Sequence, residues 1–560
     1  MVTITMKAPE NKKCHRDLFP AICCVVMAML SLSSYSYGQA QGMMGQGMMG
    51  QGMPGQGMAG QGMLGQGQDV SPNPAGSGWR ILPRLSLRET FSDNIRLQGS
   101  QADDRGDMVT QINPGLLVTG VGRRFNVNAS YIMNNLIYAE HSNFTRMRHQ
   151  FNATATTELI ENLFFVDGRA AMFQQNASLF GPQGLDNVNV TGNRADVKVY
   201  TISPYLRHRF QDFASTELRY TYGIVESNFN ALRNSHRNAF QAGLNSGDAF
   251  RILNWGLNYS NQMIDFDKTG RSVEMERAIG NLRYMVTPRF GLTATGGYER
   301  NTFISIQGSP TSPTWTVGFS WIPDERTNIV ATAGQRFFGD TYSVLANHRT
   351  RLTVWNTSYD ENITTFNQQA GMGGLGGLGG LGGLGGLGGL GGLGGTGGLD
   401  QGLSGSGAFL NPTNFFSNRL YLQKRFQASV TLNGATNTLM FRVFNMSRRA
   451  FSPEADDIDL VGAGNTSLLN HTRQTGVNAL WSYRISALTS ANLTLGYTRF
   501  GYLTTDRKDD FKIGMVSLTR QFQAQPAVNG MIQLRHIERD SNQGASYSEN
   551  AVIASLNMAY

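Results

Sequence analysis

The sequence predicts an all-β fold, a large antiparallel transmembrane β-barrel of about 22 strands. Three observations favour this fold class. Only 15% of the 560 residues are charged, yet the chain contains 31 Phe, 19 Tyr and 6 Trp. From residue 79 onward, apolar and polar residues alternate in one stretch after another. After residue 32, no run approaches the roughly 18 apolar residues that a membrane-spanning helix needs.

Residues 1–40 have the features of a secretory signal peptide. Basic residues such as Lys12 and Arg16 precede an apolar core from Leu18 to Leu32, and small residues follow near Ala40. An uncleaved membrane helix is the alternative, but a core of this length is short for a span. The three cysteines, Cys14, Cys23 and Cys24, all lie in this segment. We therefore expect a mature chain without disulfides, thiol nucleophiles or thiolate metal ligands.

Two low-complexity segments flank or interrupt the alternating region. Residues 41–78 repeat Gln-Gly-Met units, which predicts a flexible periplasmic tether, although their thioethers are also suited to Cu(I). Residues 364–416 contain a Gly-Gly-Leu repeat and are expected to form an extracellular insertion, with an adhesive loop as the alternative. The barrel itself is then expected over residues 79–363 and 417–560.

Alternation with a period of two residues identifies the strands. It places the side chains of one stretch on an apolar face and a polar face in turn. Clear examples are Phe125, Val127, Ala129 and Tyr131, and later Ala491, Leu493, Leu495 and Tyr497. A soluble β-sandwich alternates as well, but here polar Asn, Gln, Thr and Arg occupy the second face, as expected for a wet lumen.

Connection lengths also favour a membrane barrel. Tight turns near 120–122, 160–162, 211–213 and 287–289 alternate with long segments near 91–107, 175–193 and 448–470. Bacterial barrels place short turns in the periplasm and long loops outside the cell. The last strand ends on Leu556, Met558 and Tyr560, which resembles the signal that the barrel-assembly machinery recognises.

An even strand number follows if both ends of the barrel are periplasmic. The first strand is predicted at Ile81 to Thr90 and the thirteenth at Thr327 to Phe338. Successive strands must alternate between running outward from the periplasm and running back toward it. The remaining chain keeps this alternation only if Tyr342 to His348 and Arg351 to Ile363 are separate strands and if Arg419 to Asn433 runs back toward the periplasm. The total is 22, with 20 as the alternative, at about 20 residues per strand and connection.

Several stretches resemble the PEP-CTERM-system-associated outer-membrane protein family. They are Leu85 to Leu97, Asn162 to Arg169, Phe338 to Ser343 and Thr353 to Ile363. This resemblance covers residues 79–560 outside the insertion. It implies an outer-membrane barrel of a Gram-negative bacterium that has an exosortase-type sorting system and produces exopolysaccharide. It implies no catalytic residues.

Candidate functional residues are the charged side chains predicted to point into the lumen. Of 47 basic residues, 39 are Arg. Strand phasing directs eight charged residues inward: Arg207, Arg209, Arg219, Arg283, Arg442, Arg535, Glu158 and Glu217. Guanidinium groups present forked donors to carboxylates and hydroxyls, so an Arg-rich pore favours anionic or hydroxyl-rich solutes. The alternative is that these arginines only pair with carboxylates and stabilise the interior.

No catalytic, cofactor-binding or metal site is predicted. The histidines are scattered and lack metal-ligand spacing. Acidic clusters at Asp103-Asp104, Asp456-Asp457-Asp459 and Asp509-Asp510 suit divalent cations, but solvated loop charge is the simpler interpretation. The expected partners are outer-membrane lipid, lipopolysaccharide and the barrel-assembly machinery, with no nucleic acid.

Two functional hypotheses follow for a protein of the outer membrane that is not an enzyme. The first is a channel that carries an anionic or polysaccharide cargo, linked to exopolysaccharide secretion or envelope polysaccharide traffic. The second is a structural or adhesive surface protein that organises matrix through long extracellular loops. A plugged receptor of similar strand number would need a globular domain before the barrel, which residues 41–78 cannot form.

Overall fold

A computed structural model describes residues 78–99, 106–229, 232–267, 271–305, 310–365, 368, 417–458, 464–522 and 527–560. The predicted signal peptide, tether and insertion therefore lie outside the described residues, apart from short ends. Within the described ranges, no helix is long and apolar enough to cross a membrane.

The described chain forms 22 β-strands, as predicted. They are β1 (Gly78–Ser92), β2 (Asp107–Val121), β3 (Phe125–Tyr138), β4 (Arg146–Ile160), β5 (Phe164–Asn176), β6 (Arg194–Phe210), β7 (Ala214–Ser227), β8 (Ser235–Ser246), β9 (Leu253–Phe266), β10 (Arg271–Thr287), β11 (Phe290–Asn301), β12 (Ser312–Trp321), β13 (Thr327–Arg336), β14 (Gly339–Arg349), β15 (Thr353–Thr364), β16 (Tyr421–Asn433), β17 (Asn437–Ala450), β18 (His471–Ser486), β19 (Thr489–Tyr502), β20 (Arg507–Phe522), β21 (Ala527–Ser541) and β22 (Tyr547–Ala559). The division of residues 339–364 into two strands is confirmed.

Each strand pairs antiparallel with its successor, and the last strand closes the sheet on the first. The closing register runs from Arg84 opposite Ala559 to Ser92 opposite Ala551. Beyond it, the Tyr560 amide donates to the Pro83 carbonyl. The sheet is therefore a closed barrel without a free edge, which satisfies the strand backbone within the sheet.

The outer face of the barrel is apolar. Alternate strand residues expose large apolar side chains, and their neighbours in sequence point into the barrel. Examples, one from each of eleven strands, are Leu206, Leu218, Leu257, Leu282, Leu292, Val317, Phe441, Val477, Leu495, Val516 and Leu534. Hydrocarbon, rather than water, is the solvent in which such a surface is stable.

Aromatic side chains mark the end of the barrel that carries the short connections. Trp79 stacks on Phe125 with ring centroids 5.6 Å apart, and Trp481 stacks on Tyr483. Phe213 packs against Trp255 at the same end. Aromatic girdles lie at the membrane interfaces of such barrels, and short turns are periplasmic. This end is therefore the periplasmic end, and the long connections lie at the extracellular end.

A pair of adjacent positions on β20 tests which face contacts lipid. Val516 is exposed on the outer face near the middle of the strand, and Ser517 points inward. We expect Val516→Arg to destabilise the folded barrel by about 2–4 kcal/mol, because a charge enters the hydrocarbon. Ser517→Arg should cost much less. Urea unfolding in lipid vesicles measures both, and equal effects would contradict the assignment of faces.

Candidate functional site

The eight predicted lumen residues all occupy inner-face positions. On each strand they alternate with exposed apolar side chains, such as Leu206 beside Arg207, Leu282 beside Arg283 and Leu534 beside Arg535. Their surroundings differ with depth.

The residues nearest the periplasmic turns form solvent-exposed ion pairs. The Arg207 guanidinium lies 2.9 Å from the Glu217 carboxylate, with just over half of its side chain exposed. Arg209 pairs with Asp248. Glu158 accepts a hydrogen bond from the Asn162 backbone amide at the adjacent turn. Exposed pairs of this kind stabilise little and neutralise each other's charge.

Arg219 connects three neighbouring strands. Its guanidinium donates to Asp167 of β5 at 2.8 Å and to Glu217 at 3.0 Å. It also lies 3.8 Å from the ring centroid of Tyr205, on β6. This arrangement is the interior pairing that the sequence left as an alternative, so Arg219 adds little free charge to the lumen.

Two other inward arginines lack such compensation. Among the described residues, Arg283 and Arg237 have no ion-pair or hydrogen-bond partner, and the Nε of each is buried. Arg442 donates to the Gln427 side chain, which carries no charge. Arg237 was not among the predicted site residues, although the outward phase of Phe240 and Leu244 on β8 would have placed it inside. The inner face therefore carries uncompensated positive charge at two depths, with Arg283 in the periplasmic half of β10 and Arg237 near the extracellular end of β8.

At the extracellular end, the β5–β6 connection (residues 177–193, the crossing loop) folds into the barrel. Its Asp186 carboxylate lies 2.7 Å from the Arg535 guanidinium on β21 and 3.1 Å from Arg88 on β1. Arg535 also binds Glu549 of β22 at 2.9 Å. Asn189 of the loop donates to the same glutamate. The loop thus reaches wall strands far from the two that it joins.

Charge holds this contact together. Burial alone would raise the pKa of Asp186, but the charges of Arg535 and Arg88 outweigh it and hold that pKa well below its usual range. The Arg535 side chain is 3% exposed. It was expected to line a wet pore, and it instead lies beneath the crossing loop. Removing one partner of a buried ion pair typically costs about 3–5 kcal/mol.

Backbone groups of the crossing loop are anchored at several further points. Arg539 donates to the carbonyls of Phe180 and Gly181. The Gln183 amide donates to the Tyr547 hydroxyl at 3.0 Å. The Tyr138 hydroxyl, from β3, donates to the Val188 carbonyl at 2.7 Å. These bonds satisfy backbone groups that would otherwise be buried without partners.

Apolar side chains seal the crossing loop against a second inward loop. Leu179 and Leu185 share one buried cluster with Leu468 and Leu469 of the β17–β18 connection, residues 451–470. The cluster also contains inner-face residues of β19–β22: Phe500, Tyr502, Phe511, Ile513, Met515, Ile537 and Tyr547. The extracellular half of this inner surface is therefore apolar and covered, although a polar, wet lumen was expected from the sequence.

The β17–β18 connection is fixed to the chain that precedes β16. Asp457 is fully buried and accepts hydrogen bonds from the Asn418 amide at 2.7 Å and the Ser417 hydroxyl at 2.8 Å. Burial raises the pKa of Asp457 to about 6, against the effect of these hydrogen bonds. Arg419 is fully buried as well and donates to the Ser452 carbonyl. Across the barrel, Asp456 pairs with Arg271 of β10 at 2.7 Å.

The extracellular end of β16 is buried on both faces. Tyr421 belongs to the cluster around the crossing loop, and its neighbour Leu422 packs with Ile264 and Val273 of β9 and β10. A wall strand between lipid and water would not show this pattern. The end of β16 is thus part of the interior packing.

The acidic clusters that were interpreted as solvated loop charge are largely engaged by protein groups. Asp457 and Asp509 are both fully buried, and Asp509 is bound by Arg507 and Arg539. Asp510 pairs with Arg499. Asp103, Asp104 and Asp459 lie outside the described residues. Within the described ranges, no group of three or more His, Cys, Asp or Glu is placed to hold a metal ion.

A closed antiparallel barrel with an apolar exterior, a charged interior and short periplasmic turns defines an outer-membrane β-barrel of a Gram-negative bacterium. No family model matches the sequence, and no curated protein matches it.

Solved outer-membrane barrels resemble the fold at low sequence identity. The siderophore receptor PirA from Pseudomonas aeruginosa is 9% identical with a TM-score of 0.43, over 86% of this chain and 80% of that one. PirA from Acinetobacter baumannii is 8% identical with a TM-score of 0.44, over 85% and 80%. OpdQ from Pseudomonas aeruginosa is 9% identical with a TM-score of 0.33, over 86% and 99%.

The raised pKa of Asp457 predicts a pH-dependent contact. A carboxyl group with a raised pKa stabilises the fold fully below its ordinary pKa, and this stabilisation is lost as the pH rises through about 6. We expect hydrogen exchange of the amides of 417–421, corrected for intrinsic rates, to be slower at pH 5 than at pH 8, by up to roughly tenfold. Asp457→Asn should remove this difference. The same difference in the variant would show that another group titrates.

Proposed function

We propose that the protein is a gated outer-membrane channel for an anionic or hydroxyl-rich cargo, and that the crossing loop closes it at the extracellular end. The observation that carries the proposal is the buried pairing of Asp186 with Arg535 and Arg88. It attaches a loop, rather than a separate domain, to wall strands several positions away from the two that it joins, in a barrel whose interior carries unpaired arginines.

Charge pairing makes the closure reversible. Hydrophobic burial of Leu179 and Leu185 also holds the loop, but the Asp186 carboxylate occupies arginines that another anion would also bind. An anionic cargo entering from the periplasm meets Arg207 and Arg209, which are exposed but paired, and the uncompensated Arg283 in the periplasmic half of the barrel. It then reaches Arg535 and competes with Asp186. The loop thereby links the presence of cargo to opening.

The chemistry of this lumen supports a polysaccharide cargo. Guanidinium groups donate in pairs to sugar hydroxyls and to the carboxylates of acidic sugars. The resemblance to the PEP-CTERM-associated barrels adds exopolysaccharide secretion or envelope polysaccharide traffic as the context. The second candidate, an adhesive surface protein, relies on projecting loops. The crossing loop and the described part of 451–470 instead fold inward. This favours the channel over the adhesive surface protein.

Loop closure predicts a low conductance that a single substitution increases. In planar bilayers, the full chain should give rare openings. Asp186→Asn should raise the open probability about tenfold or more, because each 1.4 kcal/mol lost from the closed state gives a factor of ten.

Asp248→Asn is the matched control, since it breaks an exposed pair at the periplasmic mouth. It should leave the open probability unchanged. A wild-type protein that conducts continuously, or an Asp186→Asn variant that behaves like it, would contradict the closure.

Unpaired arginines should set the ion selectivity. In a channel opened by deleting 180–191, Arg237→Gln together with Arg283→Gln should shift the reversal potential in a KCl gradient toward cation preference. Arg207→Gln together with Glu217→Gln removes a neutral pair and should shift it little. An equal shift in both variants would exclude the two unpaired arginines as the selectivity determinants.

A further inference from the structure

The outer face of β17–β20 carries a group of cations at the extracellular end. Arg449, Arg473, Arg499, Lys508 and Lys512 all stand at outward positions and are exposed. Alternation on these strands is regular, since Thr472, Gln474, Asp509 and Phe511 between them are buried. These cations therefore face the outer leaflet of the membrane and the surface above it.

Three of these cations surround a glycine. Gly501 of β19 lies opposite Arg473 of β18 on one side and opposite Lys508 of β20 on the other. Arg499 is the preceding outward residue on the same strand. A Cβ atom built on Gly501 would meet no atom closer than 3.8 Å. We call this arrangement, Arg473, Arg499, Gly501 and Lys508, the Gly501 cradle.

The carboxylates of this surface are already bound. Asp510 is held in a fork by Arg499, with contacts of 2.7 and 2.9 Å. Glu538 and Asp540 both bind Lys512. Arg473 and Lys508 have no described carboxylate partner. Arg473 and Lys508 therefore carry uncompensated positive charge on the two sides of Gly501. Their strands are about 10 Å apart, with β19 between them.

Below the cradle, toward the membrane centre, the same face becomes apolar. Beyond an intervening row that includes Thr475 and Tyr497, the exposed outward residues of β17–β19 are Val443, Val477, Leu495 and Phe441. A ligand that fills the cradle from the membrane thus needs an anionic head and hydrocarbon chains. Free phosphate would use only the upper part of this surface.

Another sector of the barrel provides a contrast at similar depth. The outer face of β9–β11 carries Asp265, Glu274 and Glu276, with Arg300 bound to Glu276. Its excess charge is negative. The cationic surface is therefore a local feature of β17–β20 rather than a property of the whole rim.

We propose that the Gly501 cradle binds the phosphate of a phosphorylated glycolipid of the outer leaflet. Arg473 and Lys508 contact the phosphate from two sides, the missing side chain at Gly501 leaves room for it, and the acyl chains lie along Val477 and Leu495. This site is independent of the proposed channel, because it lies on the opposite surface of the wall.

Native mass spectrometry of the full chain in detergent tests the site. The probes are bis-phosphorylated lipid A, its dephosphorylated analogue and inorganic phosphate. The wild type should retain phosphorylated lipid A and lose the analogue. Arg473→Ser with Lys508→Ser should lower retention about tenfold or more, since each basic residue at a membrane surface contributes about 1 kcal/mol. Gly501→Leu should lower it too, without any change of charge.

Arg300→Ser is the matched control, because Arg300 is an outward arginine in the acidic sector. It should leave retention unchanged. Retention that survives the double substitution and Gly501→Leu would overturn the proposal. So would an equal loss in Arg300→Ser, or inorganic phosphate displacing the lipid at equal concentration. Heat-dependent gel migration checks that each variant is folded, and Gly501→Ser replaces Gly501→Leu if the latter does not fold.

Discussion

The width of a closed sheet of 22 strands governs the rest of this structure. Barrel diameter grows with strand number, and a barrel of this size leaves an interior that wall side chains cannot fill. Here the chain fills it with its own loops at the extracellular end. The crossing loop meets the β17–β18 connection in one apolar cluster, and the end of β16 is buried on both faces between them.

Filling the interior in this way moves charge out of water. Arg535, Glu549 and Asp509 are all buried in the extracellular half. Such groups are tolerated only when each charge has a partner, and so the loop is held by ion pairs as well as by leucines. In the periplasmic half, Arg207 and Arg209 stay wet and Arg219 and Arg283 are half-buried. This asymmetry between a sealed extracellular half and an open periplasmic half supports the proposal that the loop is a gate.

Much of the fold could be predicted from the sequence, because strand periodicity is local. The number of strands and the two strands within 339–364 follow from alternation and from the parity of the topology. The inner positions of Arg283 and Arg442 follow from the phase of their own strands. Whether an inward side chain meets water or a loop could not be predicted in the same way. Arg535 is dry because Asp186, 349 residues away, folds onto it. The apolar residues of the crossing loop, Leu179, Leu185 and Val188, are not regularly spaced. Their pattern in the sequence therefore does not distinguish a loop that folds inward from one that is exposed.

Accessibility of the crossing loop tests the central claim most directly. Leu185 is 3% exposed, and Thr504 lies exposed in the β19–β20 connection. Because the native cysteines all lie within residues 1–40, single Leu185→Cys and Thr504→Cys variants can be labelled on intact cells with a bulky, membrane-impermeant maleimide after Cys14, Cys23 and Cys24 are replaced by Ser. We predict rapid labelling at 504, almost none at 185, and labelling at 185 once Asp186→Asn is added. Equal labelling at 185 and 504 in the otherwise unchanged protein would contradict a loop held inside the barrel.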